Sequence, residues 1–398
     1  MKRPLKIVLS VLIIVPLLAA MLAVALYVPN SLHTNSDFLA IYDADLRLLQ
    51  HIKPYDYQSQ IHLMAEQTGT LPENVYVPQF PYPPWFALST FYLGLLPIQS
   101  AATLWFEINL AMLFLTVWFL SADWHPRLRL FSFLAPFFFI PIIGTLGVGQ
   151  YDFPVLLGSA MLIYSIRHQR LALTSISAAL LTFKPHVGIP IFLAVLIYFF
   201  LLRDLFSRRA LVWIFGGIAF LCVIGLIADP LWLIDYPLSF LTYQTGADIA
   251  SCAACDSLPS WLAGHLIPNS TLSQMTLIGA GLFIVLVLIF SLIRSHLLKS
   301  PDYLLNVSIL IVLLANPHLY NYDFILLLIP FALLAEESRS WLERIGLIIL
   351  YLFPFFAIVK FGRSIGDPTL LFVTLLLALL VFIHARKLLP LDVSPRAA

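Results

Sequence analysis

ALVWIFGGIAFLCVIGLIA, residues 210–228, runs for 19 positions without a charged side chain. About 20 apolar residues, rising 1.5 Å each as helix, cross the hydrocarbon core of a bilayer. Arg208-Arg209 precede the run and Asp229-Pro230 follow it, so its ends are marked by polar residues and a helix breaker. Comparable runs recur on both sides of it. They cover 7–28, 101–121, 128–147, 151–166, 171–184, 186–202, 273–294, 303–317, 321–335, 345–360 and 369–385. The reading is an all-α polytopic membrane protein, one integral domain over 1–398, with about 12 transmembrane helices.

Composition agrees. The 398 residues are 61% hydrophobic and 11% charged, with a mean hydropathy of +0.93. A soluble domain carries about 25% charged residues. A net charge of +1, with basic residues scattered over many loops, argues against a nucleic-acid partner.

The loops are sorted by charge. With twelve spans, only Arg47, Lys53, Lys184, Lys360 and Arg363 of the 22 Lys and Arg fall on one side; the other 17 share the opposite side. Thirteen acids lie on the Lys/Arg-poor side and seven on the Lys/Arg-rich side, while Glu107 lies within a span. Cytoplasmic loops retain Lys and Arg, so both termini are expected in the cytoplasm of a multi-pass cell-membrane protein. The opening MKRPLKIVLSVLIIVPLLAAMLAVALY resembles a signal peptide, but its apolar stretch is longer than an h-region of roughly 7–15 residues, so an uncleaved first span is expected.

Two extracytoplasmic loops are long, 29–86 and 229–272. The first is expected to carry helical pieces around 36–50 and 58–67. The second holds Cys252 and Cys255 as CAAC, for which a disulfide is the expected state in an oxidising compartment. PWFALSTFYLGLLP, 84–97, is apolar but cannot cross without inverting every later loop; a re-entrant or interfacial helix is expected. No Walker loop, nucleotide-binding glycine pattern, zinc-protease helix or nucleophile elbow is present. Neither a cofactor nor a metal is called for.

Polar residues on the far side are few. Asp37, Asp43 and Asp45 follow the first span in NSDFLAIYDADLRLLQHIKPYDY, residues 35–57. On a helix Asp37 and Asp45 share a face. The residues alone leave open a base near the membrane end or a helix cap with solvated acids behind it. PQFPYPPW, 78–85, has four prolines and is stiff; Phe80, Tyr82 and Trp85 can wall a lipid chain or a sugar, or seat a connector. GVGQYDFP, 147–154, is a turn whose Gln150 can donate and accept. TFKPH, 182–186, places Lys184 beside His186 at a membrane boundary, either as a phosphate partner or as a snorkelling cation. ANPHLYNYDF, 315–324, groups His318, Asn321, Tyr322 and Asp323 as a hydrogen-bonding cluster.

In order and spacing these motifs resemble the polyprenyl-phosphate-sugar-dependent glycosyltransferases of the GT-C superfamily, specifically glycosyltransferase family 87, which includes α-mannosyltransferases. SDFLAIYDADLRLLQHIKPY resembles the family's first outer loop, FPYPPWFALSTFYLGLLP its Tyr-Pro-Pro segment, GQYDFPVLL its Gly-Gln turn, TFKPH its Lys-Pro, and NPHLYNYDF its late His-containing turn. The usual Gly before Pro-Tyr is replaced by His51-Ile52-Lys53. The resemblance implies a GT-C fold, a polyprenyl-phosphate-sugar donor and a lipid or glycan hydroxyl acceptor on the outer face. It implies Asp37 as general base, Lys184 and His318 as ligands of the donor phosphate or sugar, and Gln150, Tyr322 and Tyr82 nearby. Lys360 and Arg363 are second-choice phosphate ligands. The competing readings are a secondary transporter or lipid-sugar flippase, for which only Glu107 speaks, and a ligase moving whole glycans from a lipid carrier.

Overall fold

The computed structural model describes residues 27–29, 31–32, 36–56, 79–245, 300–316, 319–361 and 368–388, with isolated positions within 59–69 and 256–284. Most of span 7–28, most of span 273–294, the CAAC cysteines, His318 and Arg363 lie outside the described residues. Of Lys360 only the helical backbone is described. Every regular element among the described residues is helical: α1 Phe38–Leu49, α2 Pro84–Thr90, α3 Ile98–Leu120, α4 Pro126–Ser132, α5 Ile140–Val148, α6 Phe153–Arg167, α7 Leu171–Leu181, α8 Pro185–Leu202, α9 Leu205–Ala228, α10 Trp232–Thr245, α11 Pro301–Ala315, α12 Leu328–Glu337, α13 Trp341–Phe361 and α14 Thr369–Leu388. Short 3₁₀ helices cover Phe91–Leu95, Ala135–Phe138 and Asn321–Leu327.

Three described helices, α3, α8 and α9, are long and apolar enough to cross a membrane. Apolar side chains point outward along α9: Val212 is 72% exposed and Ile227 76%. A helix that is apolar on its outer face as well has lipid as its natural solvent. Of the other predicted spans that are described, 345–360 and 369–385 fall within the 21-residue α13 and the 20-residue α14, and the rest fall on shorter or broken helices. The expected span 128–147 is three pieces, α4, Ala135–Phe138 and α5, because Pro126, Pro136 and Pro141 each start a piece where a continuous helix would need their missing N–H. The expected helix in 84–97 is split likewise, seven α residues and then five 3₁₀ residues. Neither piece approaches the ~30 Å of a bilayer core.

The chain divides into two compact units: residues 1–80, 87–111 and 146–150, and residues 81–86, 112–145 and 151–398. In the first, α1 is buried all round from Phe38 to Arg47. The 3₁₀ turn at 91–95 lies on it so closely that a Cβ at Gly94 would come within 3.0 Å of the Asp45 backbone. Tyr42 donates its hydroxyl to the Leu96 carbonyl at 2.9 Å. The C-terminus of α1 closes as a Schellman motif, with Ile52 N–H on Arg47 O (2.8 Å) and His51 N–H on Leu48 O (3.1 Å). That motif needs a left-handed residue, and His51 supplies it at φ 59°. The sequence position lacking the usual glycine thus still makes the turn, at a cost of about 1–2 kcal/mol.

In the second unit α7 packs against α6 and α9, and α11 against α8 and α14. Arg167, ending α6, forms a fork to Asp302 (2.8 Å) and Glu336 (3.0 Å), with Asp123 at 3.5 Å. The start of α11, the end of α12 and the turn after α3 are therefore gathered near one guanidinium, which these carboxylates hold firmly protonated against its burial.

Candidate active site

Asp37 occupies the N-cap of α1, yet its side chain makes no capping hydrogen bond. Gln150 Nε2 donates to Asp37 Oδ2 at 2.6 Å instead. Three contacts within the first unit set this pairing. Asp37 N–H donates to the Val148 carbonyl at 3.0 Å. Trp105 Nε1 donates to the Gly149 carbonyl at 2.8 Å. Gly149 stands at φ +68°, where a Cβ would meet Phe38 Cβ at 2.8 Å, so only glycine both turns and fits here. An ionised carboxylate accepts only, so the Gln150 amide must face it with its NH₂ group. Its Oε1 then points the other way, buried and without a protein partner.

The other first-loop acids are not solvated. Asp43 and Asp45 are both 0% exposed. Arg47 Nη2 lies 2.8 Å from Asp43 Oδ2, and Thr90 Oγ1 donates to Asp45 Oδ1 at 2.9 Å. Burial pushes the Asp43 carboxyl up to about 7 against the pull of Arg47. Burial likewise holds Asp45 well above the usual carboxylate range, with Thr90 opposing and Asp43 adding to the rise. The residues named as a cap with wet acids behind it therefore form a half-buried carboxylate at the helix start and a buried polar core behind it.

A second cluster forms within the other unit. Lys184 is 1% exposed. Its Nζ lies 2.8 and 2.9 Å from the two Asp152 oxygens and 2.6 Å from Asp323 Oδ1. Three acceptors match its three N–H donors. Tyr322 and Tyr151 place their rings 4.7 and 5.3 Å from the ammonium. Each partner begins a helix: Asp152 is the N-cap of α6, Lys184 of α8, and Asp323 Oδ2 accepts from Tyr320 N–H at 2.7 Å in the first turn of Asn321–Leu327. Tyr322 stacks on Tyr320 at 5.2 Å. Tyr82 is buried against Phe86, 5.8 Å between ring centroids, and Tyr151. Trp85 donates Nε1 to Thr182 Oγ1 at 3.0 Å.

Sequence reading named Asp37, Gln150, Tyr82, Lys184 and Tyr322. The structure joins Asp37 to Gln150, and Lys184 to Tyr322. It adds Asp152 and Asp323 as the partners of Lys184. A signal for both was present: Tyr-Asp-Phe occurs at 151–153 and again at 322–324, and each copy gives Lys184 one ring and one carboxylate. Among the described residues no group of three His, Cys, Asp or Glu is arranged to hold a metal ion. Glu107 is exposed on α3.

A family model described as glycosyltransferase family 87 matches residues 80–317, well over half of the chain. The chain belongs to glycosyltransferase family 87. Comparison with curated proteins and with solved structures gives no match. As a family 87 glycosyltransferase, the protein is a GT-C-type membrane enzyme, and its apolar helices accord with that. The matched segment contains Tyr82, Gln150, Asp152 and Lys184; Asp37, His318, Tyr322 and Asp323 lie outside it.

Proposed function

We propose that this glycosyltransferase moves a hexose, mannose by resemblance, from a polyprenyl-phosphate-sugar donor to a hydroxyl of a lipid or glycan acceptor. The reaction takes place on the extracytoplasmic face of the cell membrane. The observation that carries the reading is the Asp37–Gln150 hydrogen bond, a carboxylate at a helix start that is oriented by a neutral amide and not spent on capping.

Asp37 accepts the proton of the acceptor hydroxyl as its oxygen attacks the anomeric carbon. The bond to the phosphate oxygen breaks on the opposite face, so the stereocentre inverts and the polyprenyl phosphate leaves with the electron pair. Phosphate is a good enough leaving group to need no proton, so one carboxylate suffices. Charge accumulates on the departing phosphate, where a fixed cation is worth most. Lys184 and His318 serve that oxygen set in this reading. Lys184 does so by exchanging one of its two carboxylate partners for phosphate, since all three of its donors are engaged beforehand. Tyr82 and Tyr322 offer ring faces to the sugar or lipid.

Transfer from a synthetic polyprenyl-phosphate mannose, followed by product mass in detergent, tests this. Addition of a single hexose is the expected product; a polymer would indicate glycan ligation. An Asp37→Asn variant should insert and fold as the parent while losing transfer. Near-parental transfer by that variant would remove Asp37 from the role. Cysteine accessibility labelling should find position 37 outside the cell and both termini inside.

A further inference from the structure

A cavity of about 650 Å³ lies beside the end of α3, lined only by residues of the second unit. Its body is apolar, with Leu120, Phe131, Phe138, Phe331 and Leu347 among its walls. Its ends differ. Tyr351 donates its hydroxyl to the Ala135 carbonyl at 2.8 Å and stacks on Phe139, 4.9 Å between ring centroids, at the apolar end. At the other end Asp123, His125, Glu336 and Arg344 reach the wall. These polar residues sit together because Arg167 holds both Asp123 and Glu336.

The charge at that end is uneven. Both carboxylates are turned to Arg167, whereas Arg344 donates to the Ser338 backbone carbonyl at 3.0 and 3.2 Å. Its positive charge therefore meets a neutral acceptor. The adjoining α4, PRLRLFS, alternates arginine with exposed Leu128 (62%) and Leu130 (71%). Arg129 lays its guanidinium over Trp118, 3.8 Å from the ring centroid. Exposed leucine and arginine on one short helix, with a tryptophan of α3 against the arginine, belong at the boundary between headgroups and acyl chains. The cavity thus has a long apolar body and a polar mouth at headgroup level, where Arg344 is the cation not taken up by a carboxylate, and its volume is that of a ligand pocket.

We propose that this cavity is a resident-lipid site holding one acyl chain of an anionic phospholipid, with the phosphate at Arg344 and His125. Neither Asp37 nor Lys184 lines it, and sugar transfer does not enter its test. The full-length protein, purified in mild detergent and delipidated, is titrated with phosphatidylglycerol and followed by native mass spectrometry. One bound lipid per chain is expected, with phosphatidylcholine retained less. Ala332→Trp fills the cavity and should abolish retention. Arg344→Gln should weaken it about tenfold, the worth of one charge-assisted hydrogen bond. Should Ala332→Trp fail to fold, phosphatidylglycerol with brominated chains gives a second readout: it quenches Trp124 at the cavity wall, and Trp124→Phe removes that part of the quenching. No bound lipid with no such quenching would overturn the site. A folded Ala332→Trp that binds as the parent would do the same. Equal retention of phosphatidylcholine, or selective retention of polyprenyl phosphate, would overturn the assigned occupant.

Discussion

Gln150 holds Asp37 by a 2.6 Å hydrogen bond across 113 residues of chain. The amide gives the carboxylate a direction without adding charge. Gln150→Ala should leave the fold intact and lower kcat roughly 10²-fold, the cost of letting a reacting group wander by about an ångström. Gln150→Glu should do something different. Two carboxylates at this distance share a proton, so the upper titration of the pair is raised and the rising limb of the pH–rate profile moves to higher pH. The pH profile of kcat separates the two variants. Equal, pH-independent losses would mean that Gln150 only supports the fold.

Lys184 binds two buried carboxylates, and its removal is expected to unfold before it inactivates. Lys184→Met leaves Asp152 and Asp323 facing each other without a cation and should cost about 3–5 kcal/mol. Adding Asp323→Asn should recover part of that loss, because one of the two stranded charges is gone. Thermal unfolding in detergent reads both steps. A double variant no more stable than Lys184→Met would show that the cluster does not act as an electrostatic unit.

His51 adopts a left-handed backbone at the end of α1. His51→Gly should stabilise the protein by about 1 kcal/mol, since glycine takes that conformation without strain. A rise in melting temperature with unchanged transfer is the expected result. Destabilisation would mean that the imidazole makes contacts worth more than the strain.

The buried acids of α1 set a pH dependence of stability. Asp43 titrates near 7 in the folded chain and near 3.8 in a free one. Between these values the folded chain holds a proton that the unfolded chain has released, so stability falls as pH rises from about 4 to about 7. Asp45, also shifted upward by its burial, adds to the fall. Melting temperature followed across this window should decline, and Asp43→Asn should flatten the decline. A stability that climbs steadily from pH 4 to pH 7 in the parent would contradict the burial of both acids.

Much of the helix plan was legible because apolar length is a local property. The run 210–228 corresponds to Leu205–Ala228, and the shift at its start has a local cause: Asp204 caps the helix by accepting from Ser207 N–H at 2.6 Å, which draws Arg208 and Arg209 into the first turns. The break-up of 128–147 was written in its prolines. The site was only half legible. Asp37 and Gln150 stood out as polar residues in apolar surroundings, but the partners of Lys184 lie 32 and 139 residues away. No periodicity reports such distances; only the repeated Tyr-Asp-Phe did. Solvated acids behind a cap were one of two readings open for α1, since isolated carboxylates usually are wet, and their burial depends on Gly94 letting a second segment settle onto the helix.

Gly149, Phe38 and Trp105 form a small mechanical linkage behind the Asp37 pair: no side chain at 149, the Cβ of Phe38 closing that space, an indole gripping the carbonyl. A larger residue at 149 would push Phe38 and tilt the start of α1, turning the base away while every polar group of the reaction stayed in place. Drift at these three positions is therefore constrained jointly, and enzymes of this kind that change one of them are expected to carry a compensating replacement at another.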